Sequence, residues 1–289
     1  MLHRTWALIS DTIAGYIADE AMSRGAAVAF YTIFSLSPLL VIATAIAGIF
    51  FGQEAAEGAI VEQLRGVMGA QAAETVQALI RSAQAREGGI LAASLGIATL
   101  LVTSSAVFAE LQGALNVIWK AEVPQGVSLP YLLKARAASI GLVAATGFLL
   151  LVSLVASALL EALQAWIGGF FAEIGPMLRA LNFLISFVLI TALFAAIYKI
   201  LPDRRLEWRD VLVGAAVTAL LFTLGKSAIA WYLGANAVAS SYGAAGAFVL
   251  VLLWVYYSCQ IFLLGAEFTR AWAGLEGSHR AETVPAEAG

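Results

Sequence analysis

The chain has 289 residues, 61% of them hydrophobic and only 12% charged, with a net charge of −3 and a mean hydropathy of +0.89. Soluble domains carry about 25% charged residues, so the composition excludes an ordinary soluble domain, and the acidic balance leaves no basic footprint for nucleic acid. The single cysteine, Cys259, and the two histidines, His3 and His279, exclude an internal disulfide and supply no Cys/His set for a metal; no cofactor is implied.

The first twenty residues, MLHRTWALISDTIAGYIADE, lack the continuous apolar run of a signal peptide. Over 3–23, Trp6, Ile9, Ile13, Tyr16 and Ile17 recur at helical spacing, with Asp11 and Asp19 elsewhere on the wheel. This predicts an amphipathic helix in the membrane interface; a soluble helix packed under a bundle is the alternative.

About 20 mostly apolar residues span a hydrocarbon core roughly 30 Å thick. Six segments qualify: 27–51, 90–110, 139–161, 181–201, 211–233 and 245–268. Outside them, with Lys199 at the edge of the fourth, eleven Lys and Arg fall on the side of the termini: Arg4, Arg24, Lys120, Lys134, Arg136, Lys199, Arg204, Arg205, Arg209, Arg270 and Arg280. Four, Arg65, Arg81, Arg86 and Arg179, fall on the other. The positive-inside rule then places both termini in the cytoplasm.

The expected fold is an all-α, polytopic membrane bundle forming one domain over 1–272. It has six transmembrane helices, the interfacial N-terminal helix and a short extracytoplasmic helical hairpin at 52–89. That hairpin carries two apolar stripes, one at Ile60, Leu64, Val67 and Met68 and one at Val76, Leu79 and Ile80. The tail 273–289 has no periodicity and reads as disordered.

Three sets of motifs, AAVAFYTIFSLSPLL at 26–40, ALNVIWK at 114–120, and the run from LPDRRLEWRDVLVGA through GKSAIAWYL to SSYGAAGAFVLVLLWVYYSCQIFLLGAEF at 240–268, give the chain a specific likeness. It resembles the YihY/BrkB family of bacterial inner-membrane proteins, once labelled ribonuclease BN-like, over about residues 10–272. The resemblance implies a multi-spanning protein of a kind often proposed as a transporter. The short C-terminal tail departs from the family pattern, so no extra cytosolic domain is expected.

Polar residues inside spans mark candidate sites. Pro38, with Ser35 and Ser37 beside it, falls about 16 Å into the first span, close to the midplane. The ring frees the Phe34 carbonyl, which hydroxyls or cavity water would satisfy. A broken helix lining a substrate path and a structural kink both remain open. Lys226 lies in the outer half of span five, where it snorkels to headgroups, pairs with Glu161 or Glu173, or binds an anionic substrate or lipid phosphate. Tyr242, with Gly243 and Gly246, opens span six.

Glu110 and Glu267 end spans two and six on the cytoplasmic side. They are candidates for pairing with Arg24, Arg136 or Arg205, or for proton coupling. Asn116 joins them as a clamp on the end of span two, so Arg24, Glu110, Asn116 and Glu267 form a candidate cytoplasmic-side polar network.

A transporter or flippase-like protein for a small molecule, ion or lipid follows, with membrane lipids as its surroundings and no nucleic-acid partner. The alternative is a non-transporting scaffold docking a periplasmic envelope protein through 52–89. Catalysis is not expected: no span holds a histidine, and neither GxSxG nor a phosphate-cradling glycine loop occurs. The sequence names no substrate, coupling ion or oligomeric state.

Overall fold

A computed structural model describes residues 2–68, 70–84, 106–121, 175–235, 244–275 and 277–278. Among the described residues every regular element is an α-helix. They are α1 (Leu2–Ala18), α2 (Ala21–Phe51), α3 (Gln53–Met68), α4 (Ala70–Gln84), α5 (Ala106–Ile118), α6 (Gly175–Ile200), α7 (Trp208–Ala235) and α8 (Ala244–Leu275). Among the described residues, three stretches are long and apolar enough to cross a membrane: Ala180–Ile200, Trp208–Gly225 and Val251–Leu275. The expected span 139–161, and most of 90–110, lie outside the described residues.

The helices overrun the expected spans. α2 begins at Ala21 rather than 27, and α8 continues to Leu275 rather than 268. Glu110 and Glu267 therefore do not terminate helices, because α5 runs on to Ile118 and α8 runs on for two turns. Apolarity locates the hydrocarbon boundary, whereas backbone hydrogen bonding carries a helix past it.

The chain folds as two compact units, one of Met1–Asp19, Gln112–Thr223 and Phe262–Gly289, the other of Glu20–Leu111 and Leu224–Ile261. In the first, α1 turns an apolar stripe outward: Trp6 and Ile17 are 70% and 71% exposed, and Ile9 and Ile13 about half. Its inward face holds Thr12, Gly15 and Asp19. Also in this unit, α7 and α8 cross through a matched pair of Gly-x-x-x-Thr sequences, Gly214 with Thr218 and Gly265 with Thr269. Each glycine meets the other helix's threonine, so an added Cβ at either would collide with it. Each threonine hydroxyl donates back to its own glycine carbonyl, at 2.7 Å (Thr218) and 2.6 Å (Thr269). Small residues thus bring two backbones close while every hydroxyl proton is used.

In the second unit, α2 leads into α3 through one residue. Gly52 has φ 83, a left-handed value that glycine adopts without a Cβ clash, and its N–H returns to the Gly48 carbonyl at 2.9 Å. α3 and α4 pack on each other and on α2. One apolar cluster joins Ala29 and Leu40 of α2, Ala72, Val76 and Ile80 of α4, and Val251 and Val255 of α8. Ile60 and Leu64 of α3 pack against it, so two residues from each predicted stripe meet in this unit; the side chains of Val67, Met68 and Leu79 lie outside the described residues.

Polar contacts join the two arms. The Glu57 carboxylate accepts from the Gln77 amide at 3.0 Å and from the Arg81 guanidinium at 2.8 Å. These bonds, the Gln77 amide first, hold the carboxyl below its ordinary range against the opposing effect of burial.

Candidate functional site

The first unit assembles its charges where three chain segments meet. Asp19 directly follows α1 and its N–H bonds the Gly15 carbonyl at 2.8 Å, and Glu20 comes next with φ 53. α5 ends in a Schellman motif: the Lys120 N–H reaches the Val117 carbonyl and the Ala121 N–H the Asn116 carbonyl, at 3.1 and 2.8 Å. The left-handed position of that motif usually takes glycine, and here Lys120 holds it at φ 49. The strained backbone aims an ammonium group that bonds the Asp19 carboxylate.

α8 supplies the other two charges. Arg270 lies 3.0 Å from Glu267, one turn away, and 3.9 Å from Asp19. Gly15 permits this approach, since a Cβ there would strike both the Glu267 carboxylate and the Arg270 guanidinium. Glu267 is 0% exposed, and neither of its oxygens accepts a hydrogen bond among the described residues. Two buried carboxylates thus share one guanidinium, with Lys120, 56% exposed, facing outward from Asp19.

The seven-residue loop 201–207 locks the end of α5. The Asn116 amide donates to the Asp203 carboxylate at 2.7 Å and accepts from the Asp203 N–H at 2.8 Å. Gln112 adds a third bond to Asp203 at 3.1 Å. Arg204 donates to the Trp119 carbonyl at 2.9 Å, satisfying an end-of-helix acceptor. On α6, the buried Tyr198 hydroxyl donates to the Phe262 carbonyl at 2.6 Å and lies 3.1 Å from the Thr218 hydroxyl, tying α6 to α8 and α7. Asp210, in the first turn of α7, accepts from the backbone N–H and hydroxyl of Ser278.

The expected site residues separate into several places. Asn116 bonds Asp203, and Glu267 joins Arg270 and the Asp19 cluster. Arg24 and Glu110 are half-buried and belong to the other unit. Of the partners expected for Glu267, Arg205 is exposed and Arg136 lies outside the described residues. The carboxylate instead takes Arg270, which the span boundary at 268 assigns to the tail.

α2 is helical through Pro38 without interruption. Ser35 is buried and donates to the Thr32 carbonyl at 2.8 Å, not to the freed carbonyl of Phe34, while Thr32 donates to Val28 at 2.7 Å. Such back-bonding by hydroxyls bends helices. Ser37, Pro38 and Lys226 lie on helices, but their side chains fall outside the described residues, as does Tyr242 entirely.

Asp19, Lys120 and Arg270 escape a search for buried charge in sequence because each sits at a helix end or beyond an apolar run. The ALNVIWK motif that ends on Lys120 was the available signal.

The profile of the family described as Virulence factor BrkB matches residues 12–287. Among curated proteins, a UPF0761 membrane protein of Alcanivorax borkumensis is 31% identical over 179 residues, covering 61% of this chain and 40% of the relative. One of Cronobacter sakazakii is 32% identical over 177 residues, 61% of this chain and 58% of the relative. One of Yersinia pestis is 31% identical over 191 residues, 65% and 60% respectively. The chain thus spans 40% to 60% of the length of these relatives. No solved structure matches it. With a profile that covers nearly all of its length and relatives named as membrane proteins, the chain belongs to the Virulence factor BrkB family.

Proposed function

We propose that this membrane protein is a transporter or flippase-like protein of the bacterial inner membrane, moving a solute or lipid, with both termini in the cytoplasm. The observation that carries this is Glu267: a carboxylate with no exposed surface, inside the stretch Val251–Leu275, in contact with Arg270. A carboxylate fully buried at the end of a span is costly, and such a group is kept where it lines a path or carries a proton or ion. Asp19 and Lys120 extend the same cluster toward the half-exposed end of α5. In this reading α1 lies in the interface with Trp6, Ile9, Ile13 and Ile17 toward the acyl chains.

Docking an envelope protein through the apolar stripes of 52–89 is the weaker reading, because Val76 and Ile80 are already buried within the chain.

Purified protein in liposomes tests the proposal through two readouts, internal pyranine for proton or ion flux and dithionite access to NBD-phospholipid for lipid movement. One signal should exceed that of protein-free liposomes and fall to that baseline in E267Q, with the variant still monodisperse and helical. Baseline signals in both assays for the native protein, or an unchanged E267Q, overturn it.

A further inference from the structure

The geometry points to α3–α4 as a re-entrant hairpin, inserted to membrane depth beside α2 and α8, whose charged face lines a water-filled vestibule open to the extracytoplasmic side. α2 carries no charge from Ala26 to Phe51, and only Gly52 separates it from α3. That uncharged run of 26 residues is about 39 Å long, which already exceeds a hydrocarbon core of about 30 Å. A helix that folds straight back along α2 therefore descends beside the apolar run rather than standing above it. Leu64, eleven residues after Gln53, is about 16 Å down α3 and packs on the cluster that includes Leu40 of α2.

A second observation fixes the level independently. The hairpin shares its cluster with Val251 and Val255 of α8, and the same stretch of α8 turns Phe248, Leu252 and Leu253 outward. Large apolar side chains exposed there face lipid, so the hairpin adjoins α8 where α8 is in the membrane.

The hairpin is not itself suited to lipid. Glu62 and Arg65 form an ion pair at 3.0 Å with their side chains 71% and 45% exposed. Charged side chains at this depth face either a partner or a water-filled cavity. The paired charges suit passage of a polar or ionic solute. This deepens the transport proposal by giving it an aqueous mouth, and its test needs no flux, so the two fail separately.

The test uses single cysteines in full-length C259S, with E62C and R65C on the charged face and L252C as the lipid-facing depth standard. E62C and R65C should react with a membrane-impermeant maleimide added from outside, and L252C should not. Bimane attached at position 62 should be quenched more by phospholipids with a mid-chain nitroxide than by those with a headgroup nitroxide, as at position 252. Stronger quenching from the headgroup, or none from either, places the hairpin above the membrane and overturns the proposal. Failure of both charged-face cysteines to react removes the aqueous vestibule and overturns it equally.

Discussion

The side chain of Thr269 occupies the space that a β-carbon on Gly214 would need, and Thr218 stands in the same relation to Gly265. This reciprocity makes the crossing of α7 and α8 intolerant of a single methyl group. G214A should destabilise the protein by about 1–3 kcal/mol, the usual cost of overpacking a close contact. Thermal unfolding in detergent measures it. The double variant G214A/T269G moves the glycine to the opposite helix and should recover part of the loss; equal unfolding midpoints for G214A and the native protein would show that the crossing relaxes freely.

Lys120 separates backbone strain from charge. A lysine in the left-handed region costs roughly 1–2 kcal/mol that glycine avoids, whereas its ion pair with Asp19, being half exposed on the lysine side, contributes about 0–1 kcal/mol. K120G should therefore be more stable than K120A by about 1 kcal/mol, although both lose the ammonium group. If charge rather than fold matters for function, both variants should lose the activity that E267Q loses. Comparison of unfolding midpoints with liposome signals decides this.

Asn116 both donates to and accepts from Asp203. N116A should cost about 1–3 kcal/mol, since two bonds at a buried position go at once. N116D should be worse, because a second carboxylate then faces Asp203. Urea or thermal melts of the three proteins give the order.

Glu57 supplies a pH dependence with a definite sign. Its carboxyl titrates below the ordinary 4.5 in the folded protein, so the folded state binds fewer protons than the unfolded one in that range. The stabilisation is fully present above about 4.5 and is lost as pH falls through the folded value. The native protein should lose more of its unfolding midpoint between neutral pH and the acid range than E57Q does. Parallel curves for the two would show that the contacts of Glu57 with Gln77 and Arg81 do not hold the hairpin.

Much of the helical architecture was legible because apolar runs and helical periodicity are local properties. The apolar stretches in α6, α7 and α8 follow from them, whereas the start of α2 at Ala21 does not. The site was less legible. Arg270 falls outside a span drawn by hydropathy, yet α8 continues past it and brings it to Glu267. Asp19 and Lys120 are 101 residues apart, and no local pattern joins them. The sequences GAAVT at 214–218 and GAEFT at 265–269 were visible in register, but their pairing depends on which helix faces which. Pro38 reads in sequence as a breaker, while hydroxyl bonds at Thr32 and Ser35 accompany a helix that continues past it.

The single-residue link at Gly52 has a mechanical consequence. Two helices joined by a long loop can tilt independently; two joined by one left-handed glycine cannot, because only one pair of dihedral angles lies between them. Any rotation of α2 about its C-terminal end is transmitted to α3 as through a stiff elbow, and α4 follows because Glu57 binds it through Gln77 and Arg81. The three helices therefore move as one lever, and lengthening the elbow by a few flexible residues would uncouple its arms without altering a single side chain on them.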